Sequence, residues 1–405
     1  MPVVAMPWTT RTSGIATSFG AYAQTDLLRI PYVSSEMPYL NQGSAVFWKI
    51  LQTLPMGEAV DQPRFEFFSD TKFETQTTVN DVAGGGTNGA PDIDDTKLSV
   101  ADLLIIPNMV LYNQRTEELV YVSAVAANGY DCTIERGWGG SAAAIMNVDD
   151  VLIVLGANLP EGANANSGIV KVPTKDYNYC SFFSETISET DVQKMANMRN
   201  NVGKIASSYT DTYNKMIEQM DNLLRFGVRF AEARAAGTVY FTGGFKSACG
   251  NEQNIVAGFD YQDLNDAFNP CFRHTASSPL KIMVGGEGAH DKLITAQQTR
   301  EAPQPAKFNP VIGAFVRRIE LSGGGTIDFV LDRQGFHPNR NMQNDYFLID
   351  PAHIKRRAFK GFEDITSRDV TQSNSHTMTD ELFGSIGLEM QFADDVHAKG
   401  TFQTS

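Results

Sequence analysis

The stretch from Tyr209 to Ala236 constrains the fold more than any other part of the chain. Its apolar residues Tyr213, Met216, Ile217, Met220, Leu223, Leu224, Gly227, Phe230 and Ala231 recur on one face at helical spacing. Gly237 is placed to end the helix. At about 1.5 Å per residue such a helix is roughly 40 Å long, the length of a domain. A stripe of that length has to be covered, so the helix is expected to be a spine under a packed sheet. Methionines at this spacing read as core. A shorter helix is expected before it. Thr190 and Gln193 form a capping box ahead of Val192, Met195 and Met198, and Asn200-Asn201-Val202-Gly203 ends that helix.

The rest reads as strands and turns, in keeping with 34 glycines in 405 residues. Residues 64–80 (RFEFFSDTKFETQTTVN) alternate like a strand. Gly84-Gly85-Gly86 and Asn88-Gly89 follow. They lack the Lys-Ser/Thr and the helix start of a phosphate loop, so they read as a flexible joint. Residues 98–156 read as a compact all-β module. Leu103–Tyr112 is apolar, Arg115-Thr116-Glu117 is a polar turn, and Leu119-Val120-Tyr121-Val122 is a strand. Asn128-Gly129 is a hairpin signal, Tyr130–Glu135 returns, and Val151–Leu155 closes the set. Arg136-Gly137-Trp138-Gly139-Gly140 reads either as a ligand clamp or as a loop anchored by ring burial. Residues 157–175 leave the module. Tyr177–Ile187 is expected to return beside residues 64–80, which makes the module an insertion in a two-stranded arm.

Residues 280–360 read as an α/β unit. Leu280–Val284, Val311–Leu321 and Thr326–Leu331 are strands, His290–Thr299 a helix, and Gly323-Gly324-Gly325 a turn. Tyr346–Ile349 and His353–Phe359 are expected to pair around Pro351. Gly384–Phe392 is a strand expected to return to the spine helix. Residues 1–60, punctuated by Pro2, Pro7, Pro31, Pro38 and Pro55, carry one short helical stretch at Ser44–Leu51. They lie along other surfaces or form a loose loop region. Both chain ends are expected to be held by neighbouring molecules, and the N-terminal segment to be kept.

Forty-seven acidic against 33 basic residues leave a net charge of −14, without the basic excess of a sequence-reading DNA binder. Two readings fit: a wall that does not grip packed DNA, or solubility alone. Cys132, Cys180, Cys249 and Cys271 have no zinc spacing and read as small buried hydrophobes of a reducing compartment. The N-terminus lacks the pattern of a signal peptide, and no stretch reaches the roughly 20 apolar residues of a membrane span. The expected compartment is therefore the cytoplasm until assembly.

Catalytic patterns are missing from the chain. His274, His290, His337, His353, His376 and His397 share no helical metal spacing, and no Ser or Cys sits in a nucleophile elbow. Asp92, Asp94 and Asp95 lack the Gly and Glu of a calcium loop. Arg317-Arg318 and Lys355-Arg356-Arg357 read as salt-bridged strand faces, or as contacts to acidic neighbours or DNA. No catalytic, cofactor or metal residue is assigned.

The order of parts is loose arm, long β arm, spine helix, α/β unit and C-terminal return strand. It resembles the coat-protein fold shared by tailed phages and herpesviruses. Asn113-Gln114-Arg115-Thr116-Glu117 and Glu135-Arg136-Gly137-Trp138-Gly139-Gly140 resemble a phage and prophage branch in which a β module interrupts the extended loop. The resemblance covers about residue 60 to the end. It implies an α+β chain: an N-terminal arm (1–60), an extended loop (61–97 and 157–188) with an inserted β module (98–156), a peripheral domain with the spine helix (189–275 and 371–405), and an axial domain (276–370). It further implies a non-enzymatic major capsid protein of a tailed bacteriophage. Copies are expected to form hexamers and pentamers of an icosahedral head around double-stranded DNA, with scaffold, portal and decoration partners, only weak DNA contact and no membrane. Two other readings are another virion component, such as a tail or decoration protein, and a cytoplasmic α/β hydrolase using His290 or His337.

Overall fold

A computed structural model describes residues 45–70, 75–80, 93–101, 105–158, 161, 173–190, 205–256, 258, 260–298, 307–309, 314–372 and 376–403. The chain divides into two compact units, Met1–Phe65 with Tyr177–Ser405, and Glu66–Asp176.

In chain order, helix α1 (Val46–Thr53) and strand β1 (Arg64–Ser69) come first. Then follow β2 (Gln76–Asn80), β3 (Lys97–Val100), β4 (Met109–Asn113), β5 (Leu119–Val125), β6 (Asp131–Glu135) and β7 (Val151–Ala157). Next are β8 (Thr174–Tyr179), β9 (Ser181–Thr190), α2 (Ile205–Phe226), β10 (Phe230–Arg234), β11 (Gly237–Phe241), α3 (Phe245–Ala248) and α4 (Tyr261–Phe272). The remainder is β12 (Leu280–Gly285), α5 (Glu287–Gln298), β13 (Lys307–Asn309), β14 (Ala314–Glu320), β15 (Thr326–Leu331), β16 (Asp345–Ile349), β17 (Ile354–Arg357), β18 (Thr366–Asp369), β19 (Thr377–Met390) and β20 (Ala398–Thr401).

In the larger unit, Met216, Met220, Leu223 and Leu224 of α2 are buried with Ile187 of β9, Leu382 and Ile386 of β19, and Phe47, Ile50 and Leu51 of α1. The covering sheet is built on a ten-residue antiparallel register of β19 with β9, from Thr377↔Thr190 to Ile386↔Ser181. Gly384 faces the tips of Met216 and Met220, where an added Cβ would lie 3.0 Å from the Met220 methyl. A second sheet has the order β13-β14-β15-β12-β16-β20. Within it β12 and β15 run parallel, as a crossover through α5 requires. A second core joins Leu264 and Phe268 of α4 and Leu293 of α5 to Met283, Phe329 and Leu348 of the sheet. An Asp260–Asp263 capping box starts α4.

The smaller unit contains a closed barrel, β2-β3-β6-β5-β4-β7. Alternate residues point inward, and Leu98, Leu111, Val120, Val122, Ile134 and Leu152 fill it. The turn at Asn128-Gly129 forms as expected. Gly129 takes φ 77°, and the Asn128 side chain accepts from the Tyr130 and Asp131 amides.

Several expectations are corrected. The spine helix stops at Phe226, not Ala236, so its 22 residues span about 33 Å. Gly227 ends it because a Cβ there would meet Thr242 O at 2.4 Å and Leu223 O at 2.6 Å. Phe230 and Ala231 continue the helical spacing yet belong to β10, and Gly237, at φ 133°, closes the β10–β11 turn. The alternating stretch 64–80 is two strands, and Gln76–Asn80 belongs to the barrel rather than to the arm. The cause is closure: β2 bridges β3 and β7, whose edges would otherwise stay open. β16 and β17 do not pair with one another; β16 joins β12 and β20, and β17 joins β19. Thr190 is the last residue of β9, and the capping box expected from it lies with residues outside those described. The helix expected after it, the Gly84–Gly86 joint, Asp92, most of the exit at 157–175, residues 1–44 and the last two residues lie outside the described residues. No described helix is long and apolar enough to cross a membrane.

Candidate functional site

The histidines are dispersed. His290 on α5 packs on Phe329 at 5.4 Å, and its Nδ1 lies 3.6 Å from Asp291. Burial and the nearby Arg317 push its pKa down. His337 is exposed and accepts from the Asn339 amide at 3.1 Å, capping a short turn. His353 contacts Ala276 O at 2.8 Å, and His274 and His376 are exposed. Among the described residues no cluster of His, Cys, Asp and Glu could hold a metal ion. All four cysteines are buried, and burial pushes the thiols up, Cys180 and Cys249 to about 12.

Of the basic clusters, Arg318, Arg356 and Arg357 find partners inside the fold. Arg318 reaches Asp328 across β14 and β15 at 2.8 Å. Arg356 lies over the Trp48 ring, and Arg357 meets Glu389 at 2.5 Å across β17 and β19.

The barrel brings the two quoted motifs together. Arg136 donates from Nε and Nη2 to the Glu118 carboxylate at 2.8 Å each, a bidentate pair. The Gly137 and Ala144 amides also donate to Glu118, at 2.9 and 3.3 Å. Burial drives the Glu118 carboxyl upward, but Arg136 and those amides outweigh it and hold the group below its ordinary range. Nearby, Asn113 and Arg115 both donate to Asp150. Trp138 is half-buried rather than anchored by full burial. Its ring stacks on Tyr121 at 5.7 Å and 16°, beside a shallow cavity bordered by Leu119, Leu155 and Asn158.

The larger unit holds two buried ionic clusters that the sequence reading missed. Asp221 and Asp332 approach Arg225 Nη2 at 2.5 and 2.6 Å. Both carboxylates share the one nitrogen Nη2, so a single guanidinium edge serves two acids. Asp221 Oδ1 accepts the Trp48 amide at 2.7 Å and so caps α1, whose own N-cap, Ala45, cannot. Burial raises the Asp221 pKa to about 6; Arg225 and the Trp48 amide offset it only in part. Gly335 leaves room for the guanidinium, since a Cβ there would lie 1.4 Å from Arg225 Nη1. The visible signal was an Asp-Arg pair at i,i+4 inside the apolar stripe. The second cluster is Lys281 with Asp350 at 2.8 Å. Lys281 also donates to Val396 O, and Asp350 accepts the Ser278 and Ala352 amides. His397 is fully buried and is pushed down to about 3, chiefly by that burial; its Nδ1 accepts the Asp350 amide.

The buried ion pairs Arg136–Glu118, Arg225–Asp221, Arg225–Asp332 and Lys281–Asp350 each lie within one unit and tie its elements together, which is the chemistry of a scaffold. A family model described as SU10 major capsid protein matches residues 24–401. The chain belongs to the SU10 major capsid protein family. The expected identity, a tailed-phage major capsid protein located in the virion capsid, stands with that match. It sets aside the tail, decoration and hydrolase readings.

Solved structures with similarity include a chain of Mycobacterium phage Bobi, 8% identical, covering 95% of this chain and 98% of that one at a TM-score of 0.44. A chain of Microbacterium phage Oxtober96 is 10% identical, with 94% and 98% covered and a TM-score of 0.45. A chain from the capsid of a native GTA particle is 9% identical, with 95% and 98% covered and a TM-score of 0.44. Likeness at that level adds nothing to the family match. No curated protein matches the chain.

Proposed function

We propose that copies of this SU10-family capsid protein assemble in the host bacterial cytoplasm into hexamers and pentamers that tile an icosahedral head around double-stranded DNA. The observation that carries this reading is the family match across residues 24–401. Heterologous rotational contacts close into rings, and permanent interfaces of this kind bury on the order of 2,000–5,000 Å².

In this reading residues 1–60 are the N-terminal arm. Residues 61–97 and 157–188 are the extended loop, which gives up β2 to the barrel it carries. Residues 189–275 and 371–405 are the peripheral domain on α2, and residues 276–370 the axial domain. Scaffold, portal and decoration proteins are partners in assembly. The net charge of −14 supports weak, non-specific contact with packaged DNA. The role is structural rather than catalytic.

The test is expression of the full chain, alone and with scaffold and portal partners, followed by sedimentation and negative-stain imaging. Closed shells of megadalton size are expected. A monomer under every condition sinks the reading, and trimers or tubes point to another virion component.

A further inference from the structure

Asn128-Gly129 is the one Asn-Gly pair among the described residues, and Asn88-Gly89 lies outside them. Besides shaping the β5–β6 turn, the pair carries a chemistry of its own. A glycine after asparagine has no Cβ to obstruct ring closure by its amide nitrogen. Deprotonated Gly129 N attacks Asn128 Cγ. The N–Cγ bond forms, the Cγ–Nδ2 bond breaks, and the proton given up by Gly129 N ends on the departing ammonia. Solvent water then opens the succinimide at either carbonyl, to isoaspartate or aspartate. Asn128 is exposed, so water reaches it. Asparagine is among the thermolabile residues of a chain for this reason.

The folded turn opposes the first step at each reacting atom. Gly129 N donates to Ala126 O at 2.9 Å, which keeps its proton in place. Asn128 Nδ2 donates to the Asp131 carboxylate at 2.7 Å, which adds electron density to the group that has to leave. Asn128 Oδ1 accepts the Tyr130 and Asp131 amides at 3.2 Å each. Those two bonds polarise Cγ toward attack, but they also tether the side chain, so any rotation of Cγ toward the nitrogen breaks them. A polarised Cγ without a nucleophile does not react. The Ala126 amide donates to Asp131 O at 2.7 Å and closes the turn around all of these groups. Opening the turn releases them together, and local opening of an exposed turn costs less than global unfolding.

We propose that Asn128 is a deamidation site whose rate is set by opening of the β5–β6 turn, the folded turn holding the reaction in check. Isoaspartate lengthens the backbone of the turn by one carbon, and either product places a second carboxylate beside Asp131. The turn joins β5 to β6, whose Val122, Cys132 and Ile134 lie in the barrel core. Neither chemical step needs assembly, so the outcome does not turn on the shell reading.

The test incubates the full chain at one neutral pH and one temperature, folded and in denaturing urea. Mass spectrometry of the Asn128 peptide then follows the isoaspartate and aspartate forms with time. In urea Asn128 is expected to react at a rate comparable to Asn88, the internal standard. In the folded chain Asn128 is expected to react more slowly than in urea by about tenfold or more, and any smaller difference overturns the proposal. An Asn128 that stays intact in urea while Asn88 reacts overturns it too. In parallel, Asp131→Ala removes the partner of Nδ2 and is expected to raise the folded rate several-fold at an unchanged rate in urea. An unchanged folded rate overturns the part given to the Asp131 tether. A variant that fails to fold reacts at the urea rate, and the comparison of the unsubstituted chain with itself then decides.

Discussion

In the barrel, the buried Glu118 receives donors from Arg136 Nε, Arg136 Nη2, Gly137 N and Ala144 N. Beside the spine helix, Asp221 and Asp332 are buried against one guanidinium, and the cluster keeps one negative charge in excess when both are ionised. Burial penalises a charge heavily unless it is paired and hydrogen-bonded. The barrel meets that condition. The spine cluster meets it only in part, which is why Asp221 is raised while Glu118 is lowered. The strands differ in the same sense. The barrel closes on itself without an open edge, whereas the larger unit ends one ribbon after two strands. The barrel is built to be complete within one chain. The spine region leaves a buried charge unbalanced and one ribbon at two strands.

The sharpest way to break this comparison is Arg225→Ala. It strands two buried carboxylates, so the loss is expected at the upper end of about 3–5 kcal/mol. Urea unfolding of the full chain, followed by hydrogen exchange, measures it. Protection should fall in α1, α2 and β19 and persist in the barrel; a uniform loss would mean that the two units do not unfold separately.

Glu118→Ala is the reciprocal change. It leaves Arg136 charged and largely buried, and the expected cost is about 3 kcal/mol, confined to exchange protection in β2–β7. The smaller figure reflects the Ala144 carbonyl, which Arg136 still reaches.

The next test is pH. Asp221 titrates near 6 in the fold, against an ordinary value of 3.8. The folded state therefore holds a proton that the unfolded chain releases between these values. This group's contribution falls as pH rises from about 4 to 6 and is level above. Exchange of the α2 amides that open only on unfolding is expected to slow by the equivalent of about 1–3 kcal/mol as pH drops through that window, after correction for intrinsic exchange. Glu118 and Asp150 have lowered values, so barrel protection should stay flat there and decline only below about pH 4. A slope in the spine region against none in the barrel between about pH 4 and 6 supports the contrast, and parallel slopes remove it.

The smallest expected effect is Asp260→Ala. It deletes the capping box of α4 and should cost about 1 kcal/mol, read as a lower urea midpoint at unchanged slope.

Much of this was legible in the chain. The stripe Met216, Met220, Leu223, Leu224 is a helix face, Asn128-Gly129 is a hairpin, and Leu280–Val284 and Thr326–Leu331 are strands. The motif wording around Arg115 and Arg136 pointed to the capsid family. The buried clusters were harder to read. Glu118 stands one residue past the quoted motif, and its partner is 18 residues away. Asp221 caps a helix 173 residues distant.

Period, turn chemistry and composition act between neighbours in the chain, so the sequence by itself determined the elements and the family. Where an element stops, which strand it joins and which buried charge meets which depend on contacts made only after distant segments pack. Phe230 keeps a helical spacing but becomes a strand, because the Thr242–Gly244 backbone occupies the space at Gly227. Gln76–Asn80 alternates like any arm strand but becomes a barrel strand, because two open edges stood ready to receive it. Those outcomes belong to the tertiary structure, since the forces that decide them, steric exclusion and backbone pairing, act at distances of a few ångströms between residues far apart in sequence.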